Sequence, residues 1–90
     1  MHTDEYEISL SRELAVCRNT IQQIKKTLQL LEQKHKKTTA LFLEELRTGR
    51  LINDPDLRED YDAWQSSNES LFHWEDLERQ YQEVYRMMKT

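Results

Sequence analysis

The sequence predicts an all-α protein: an antiparallel helical hairpin of the coiled-coil type, with a short capping helix at its tip, that assembles into a helical bundle. Three observations carry that expectation. Among 90 residues only Gly49 is glycine and only Pro55 is proline, so a sheet would have almost no turn chemistry to work with. Leu10, Leu14, Cys17, Ile21, Ile24, Leu28 and Leu31 follow one another at alternating steps of four and three, the a/d pattern of a heptad held for more than three repeats. The chain is 37% apolar and 33% charged, a balance that suits helices burying one narrow seam.

The elements follow in order within a single domain, 1–90. The first helix is expected over about 5–36, with Asp4 as its cap, Glu7 as the reciprocal partner, and Lys34, Lys36 and Lys37 suiting its negative C-terminal end. At ~1.5 Å per residue it spans roughly 48 Å, too long to bury its seam in a small globule, so it needs an equally long partner. A short helix over 38–48 is expected next, capped by Thr38 or Thr39, carrying Leu41, Phe42, Leu43 and Leu46, and stopped by Gly49 in a left-handed conformation. Leu51 and Ile52 are expected to pack back on it. In Asn53-Asp54-Pro55-Asp56 a capping carboxylate precedes a proline at the first helical position, which starts a returning helix over 55–88.

The returning helix repeats the seam with larger side chains: Leu57, Tyr61, Trp64, Leu71, Trp74, Leu77, Tyr81, Val84 and Met88. Asn68 fills the slot between Trp64 and Leu71, and the two steps from Leu71 through Trp74 to Leu77 are both three, so the stripe is expected to slip around the helix there. Antiparallel pairing would set Leu10 and Leu14 near Val84 and Tyr81, and Leu28 and Leu31 near Tyr61 and Trp64.

Charge agrees with that topology. Residues 1–40 carry seven Lys/Arg against five Asp/Glu, and residues 41–90 carry six against twelve. The lysines at 25, 26, 34, 36 and 37 and the acids at 54, 56, 59, 60 and 62 would meet at the tip of the hairpin and complement the helix dipoles. Lysines so opposed, in a chain of net charge −4, make a poor footprint for nucleic acid. No apolar run approaches a membrane span, and the acidic start MHTDEYE does not read as a signal peptide, which points to the cytoplasm.

No catalytic, cofactor or metal site is expected. A calcium loop beginning at Asp54 would want an oxygen ligand where Arg58 stands, glycine at Glu59 and glutamate at Gln65. His73 has Glu69 and Asp76 one turn away on either side, but there is no second Glu-x-x-His to complete a di-metal bundle. Cys17 falls on the first seam and reads as a small core residue, and the glycines of a phosphate-binding loop or a serine nucleophile are missing.

The aromatic residues are the informative surplus. Six of the eight lie between Tyr61 and Tyr85, and one partner helix cannot cover them all. Trp64, Phe72, Trp74, Tyr81 and Tyr85 are therefore the expected interaction surface, since rings are enriched where proteins meet. A broader core formed when two hairpins pair into a four-helix bundle is the competing reading of the same rings.

From Lys34 to Trp74 the chain resembles a family of small bacterial and archaeal helical-hairpin proteins of unknown biochemical function, many encoded beside a toxin-like gene and described as antitoxin candidates. The elements of the resemblance are a lysine-rich corner at Lys34, His35 and Lys36, a cap at Thr38 and Thr39, then Phe42, Gly49, Asp54 with Asp56, and Trp64. The family favours tyrosine and glycine where His35 and Lys36 stand. The resemblance implies the hairpin and an antitoxin-like binding role. The expected function is thus a non-enzymatic protein–protein interaction module, with a foreign protein partner or a homodimer, and with a self-assembling structural coiled coil as the alternative.

Overall fold

A computed structural model describes residues 2–88, with side chains from Glu5 onward. It holds three helices: α1 (His2–His35), α2 (Thr39–Thr48) and α3 (Pro55–Met88). No strand occurs among the described residues. Helices α1 and α3 run antiparallel along a body 59 Å long and 20 × 17 Å across, and α2 folds across the closed end. The all-α hairpin with a capping helix is as the sequence predicts.

Helix α1 is already formed at His2, two residues ahead of Asp4, so Asp4 does not mark its start. Its seam is buried along most of its length: Leu10, Leu14, Cys17, Ile21, Leu28 and Leu31 are all buried, none more than 9% exposed. The helix ends at a corner where Lys36 takes a left-handed φ of 54° and the Lys37 N–H donates to the Glu32 carbonyl at 3.2 Å, closing off a helix end that would otherwise lack partners.

Helix α2 is tied at both ends. Thr38 Oγ1 accepts from the Leu41 N–H at 3.1 Å, and Glu32 reaches over from α1 to accept from the Thr39 N–H at 2.7 Å. At the other end Gly49 has φ 72°, and the Arg50 N–H donates to the Glu45 carbonyl at 2.8 Å. The returning helix begins as expected, with Asp54 Oδ1 accepting from the Asp56 N–H at 3.0 Å and Pro55 as its first residue.

The densest packing lies at this closed end. Leu28, Leu31, Phe42 and Trp64 form one cluster, with Ile24, Leu43, Leu51, Tyr61 and Leu71 packed around it. Phe42 and Trp64 have no exposed surface, and their rings stack with centroids 4.2 Å apart. The indole N–H is not left dry, because Trp64 Nε1 donates to Thr39 Oγ1 at 2.9 Å. His35 closes the cluster with its ring 5.4 Å from Trp64, and Asp60 Oδ2 accepts from both His35 Nε2 at 2.9 Å and Lys34 Nζ at 2.8 Å.

Those bonds hold the Asp60 carboxyl below its usual range, the Lys34 hydrogen bond first and the His35 bond second. The expected meeting of lysines and acids is thus narrower than its charge runs suggest. Among the described residues Asp60 is the one acid of its cluster in an ion pair, while Lys37 turns instead to Glu45 at 3.0 Å.

Candidate interaction surface

Helix α3 carries two heptad columns, and they diverge in its C-terminal half. The first is Leu57, Tyr61, Trp64, Asn68, Leu71, Glu75, Glu78, Gln82 and Tyr85, at unbroken steps of four and three. This column faces α1. Asn68 and Leu71 share a groove with Leu28, Glu78 pairs with Arg18 at 3.5 Å, and Gln82 and Tyr85 share a groove with Leu14 and Arg18. Its character changes midway, from apolar beside α2 to polar toward the open end.

The second column lies one residue round the helix: Ser67, Ser70, Trp74, Leu77, Tyr81, Val84 and Met88, at unbroken steps of three and four. Ser67 opens onto a groove with Thr20, Ile24 and Thr27 of α1, which fixes the side of the hairpin that this column occupies. None of its seven residues is buried, and Val84 is 38% exposed. In the C-terminal half the first column continues as the polar Glu75, Glu78 and Gln82, and the apolar column runs beside it.

The expected interaction residues separate accordingly. Trp64 is a correction: it is fully buried under Phe42 and presents no surface, because α2 folds over it. Tyr85 belongs to the column that faces α1, and it is half-buried beside Leu14. Phe72 is 65% exposed but sits off both columns. Trp74 and Tyr81, both half-buried, do share a column. Leu77, Val84 and Met88 complete it; their spacing was the signal that a search for rings alone passes over.

Charge marks the same strip. The second column and the positions flanking it away from α1, Ser66, His73, Gln80 and Met87, are eleven residues without Asp, Glu, Lys or Arg in a chain one-third charged. The acids Asp62, Glu69, Asp76 and Glu83 recur every seven residues farther round the helix. Beside the strip stands Glu78, which Arg18 holds. Chemically the surface can bury apolar area and offer a few neutral hydrogen-bonding groups, which is the make-up of a helix-packing interface.

Cys17 sits opposite, fully buried on α1, where burial first and the charges of Glu78 and Glu13 second push its thiol pKa up. Among the described residues no three His, Cys, Asp or Glu side chains converge as a metal site would require, and no helix is long and apolar enough to cross a membrane. An antiparallel α-hairpin closed by a short capping helix is the class that the fold defines. No family model, curated protein or solved structure matches the chain.

Proposed function

We propose that this chain is a non-enzymatic, cytoplasmic protein-interaction module that binds protein through the second heptad column of α3. The observation that carries the reading is that column itself: seven positions at strict heptad spacing, apolar from Trp74 to Met88, none of them fully buried within the hairpin and Val84 exposed. An antitoxin-like component, acting on the product of a neighbouring gene, is the specific form that the resemblance from Lys34 to Trp74 supports.

Light scattering after size exclusion tests it, on the chain alone and on the chain mixed with the purified product of the adjacent gene. Leu77→Glu is expected to lower the mass of at least one of the two species, whereas Lys25→Ala and Lys26→Ala leave both unchanged. If Leu77→Glu alters neither mass, the column is not a binding surface and the reading fails.

A further inference from the structure

We propose that the groove between α1 and α3 near the open end of the hairpin is a further binding site, for an acidic segment of a partner protein. The groove has a volume of about 640 Å³ and is lined by Ser11, Leu14, Ala15 and Arg18 of α1, with Tyr85 and Arg86 of α3 on its other side. None of its lining residues belongs to the second column, so the site goes beyond the surface proposed above. Its shape follows from side-chain size. Ser11 and Ala15 lie one turn apart on the same face of α1, and side chains this small leave a recess beside Tyr85 with the buried Leu14 at its floor.

Charge selects the occupant. Arg18 and Arg86 both line the groove and no acid does, although residues 41–90, which supply one of its walls, carry twelve acids against six bases. An arginine fork recognises a carboxylate through paired N–H groups, and Leu14, Ala15 and Tyr85 offer apolar surface to an aliphatic side chain. A peptide brings both features, whereas a bare phosphate brings only the charge.

The spacing of the arginines sets the spacing of the ligand's acids. Arg18 pairs with Glu78, and Arg86 stands eight residues farther along α3, roughly 12 Å nearer the open end. An extended peptide at ~3.3 Å per residue spans that distance between carboxylates four positions apart, with an aliphatic side chain between them. Arg18 is accessible, its side chain 58% exposed. The Glu78 carboxylate stands 3.5 Å from Arg18 Nε, within ion-pair range but too long for a charge-assisted hydrogen bond, so an incoming carboxylate displaces a loosely held one.

Fluorescence anisotropy of the full chain with a labelled peptide Glu-Ala-Leu-Ala-Glu and its counterpart Gln-Ala-Leu-Ala-Gln tests the proposal, with circular dichroism as the check on folding. The glutamate peptide is expected to bind at least ~10-fold more tightly than the glutamine one. Arg18→Gln and Arg86→Gln, both at exposed positions, each weaken it ~5-fold or more, and Glu78→Gln strengthens it by removing the competing carboxylate. Ala15→Trp, at another exposed position, fills the groove and abolishes binding. Lys26→Gln changes the net charge equally but outside the groove, and leaves the affinity within ~2-fold. Equal losses for Lys26→Gln and the two arginine variants would mean diffuse attraction and overturn the proposal. Failure of the glutamate peptide to bind at millimolar concentration overturns it too, as does its displacement by an equal concentration of inorganic phosphate, which would make the site one for small anions.

Discussion

Lys36 and Gly49 make the same turn. Each holds a left-handed backbone just past a helix end, and the residue after each sends its N–H to the carbonyl five positions before it, Lys37 to Glu32 and Arg50 to Glu45. A lysine does here what a glycine does thirteen residues later. The left-handed region crowds a Cβ atom against its own carbonyl, so the two positions carry opposite, measurable consequences.

Lys36→Gly should raise stability by about 0.5–1 kcal/mol, because it removes that crowding without disturbing a contact that the corner needs. Gly49→Val should lower it by about 1–2 kcal/mol. No neighbour lies within 4 Å of the site a Cβ would take at Gly49, so that loss is conformational rather than steric. Arg50→Val should stay within about 0.5 kcal/mol of the parent. Urea denaturation of the three variants checks the set.

Trp64→Ala and Phe42→Ala should each cost about 3–5 kcal/mol, the range for emptying a large ring from a packed core. Trp64→Phe should cost less than Trp64→Ala, yet still lose the bond from Nε1 to Thr39. Phe72→Gln, in contrast, should change stability by less than about 0.5 kcal/mol, since that ring is already in water. Chemical denaturation separates buried rings from the exposed one directly.

Asp60 gives the hairpin a pH dependence at the acid end. Its folded carboxyl is held below the ordinary range by Lys34 and His35, so its contribution is fully present above the unfolded value of about 4 and is lost as pH falls through the lower folded value. Asp60→Asn should be less stable than the parent at neutral pH. It should also lose the part of the acid-side decline that belongs to this group. Denaturation midpoints measured from pH 6 down to pH 2 report both.

Cys17 should resist alkylation. Its thiol is buried on the α1 seam and its pKa is pushed up, first by burial and then by Glu78 and Glu13, so little thiolate forms and reagent cannot reach it. Native protein in iodoacetamide at mildly alkaline pH should remain unmodified by mass spectrometry while urea-unfolded protein reacts at once. Fast labelling of the native chain would mean that the open half of the hairpin separates readily.

Much of the candidate surface was present in the sequence but hidden by its chemistry. Rings draw attention, so Trp64, Phe72, Trp74, Tyr81 and Tyr85 look like one group, although they belong to a core, an outer face and two different columns. Glu75, Glu78 and Gln82 continue the heptad of Leu57, Tyr61 and Trp64, and Trp74, Leu77, Tyr81, Val84 and Met88 form a second one beside it. Polar residues in a heptad break its apolar periodicity and so mask its continuation.

What depends on neighbours along the chain was legible in the residues alone: the α1 seam from Leu10 to Leu31, a threonine cap at Thr38 or Thr39, the left-handed stop at Gly49, and the Asp54-Pro55 start of α3. Those features rest on backbone hydrogen bonds and side-chain spacing within a few residues, which local residue types dictate. The left-handed turn at Lys36, the choice of Thr38 as the cap and the burial of Trp64 beneath Phe42 emerge only in the folded hairpin. A lysine carries no signal for positive φ. Whether a ring is core or surface depends on which distant helix folds over it, and spacing along a single helix does not contain that information.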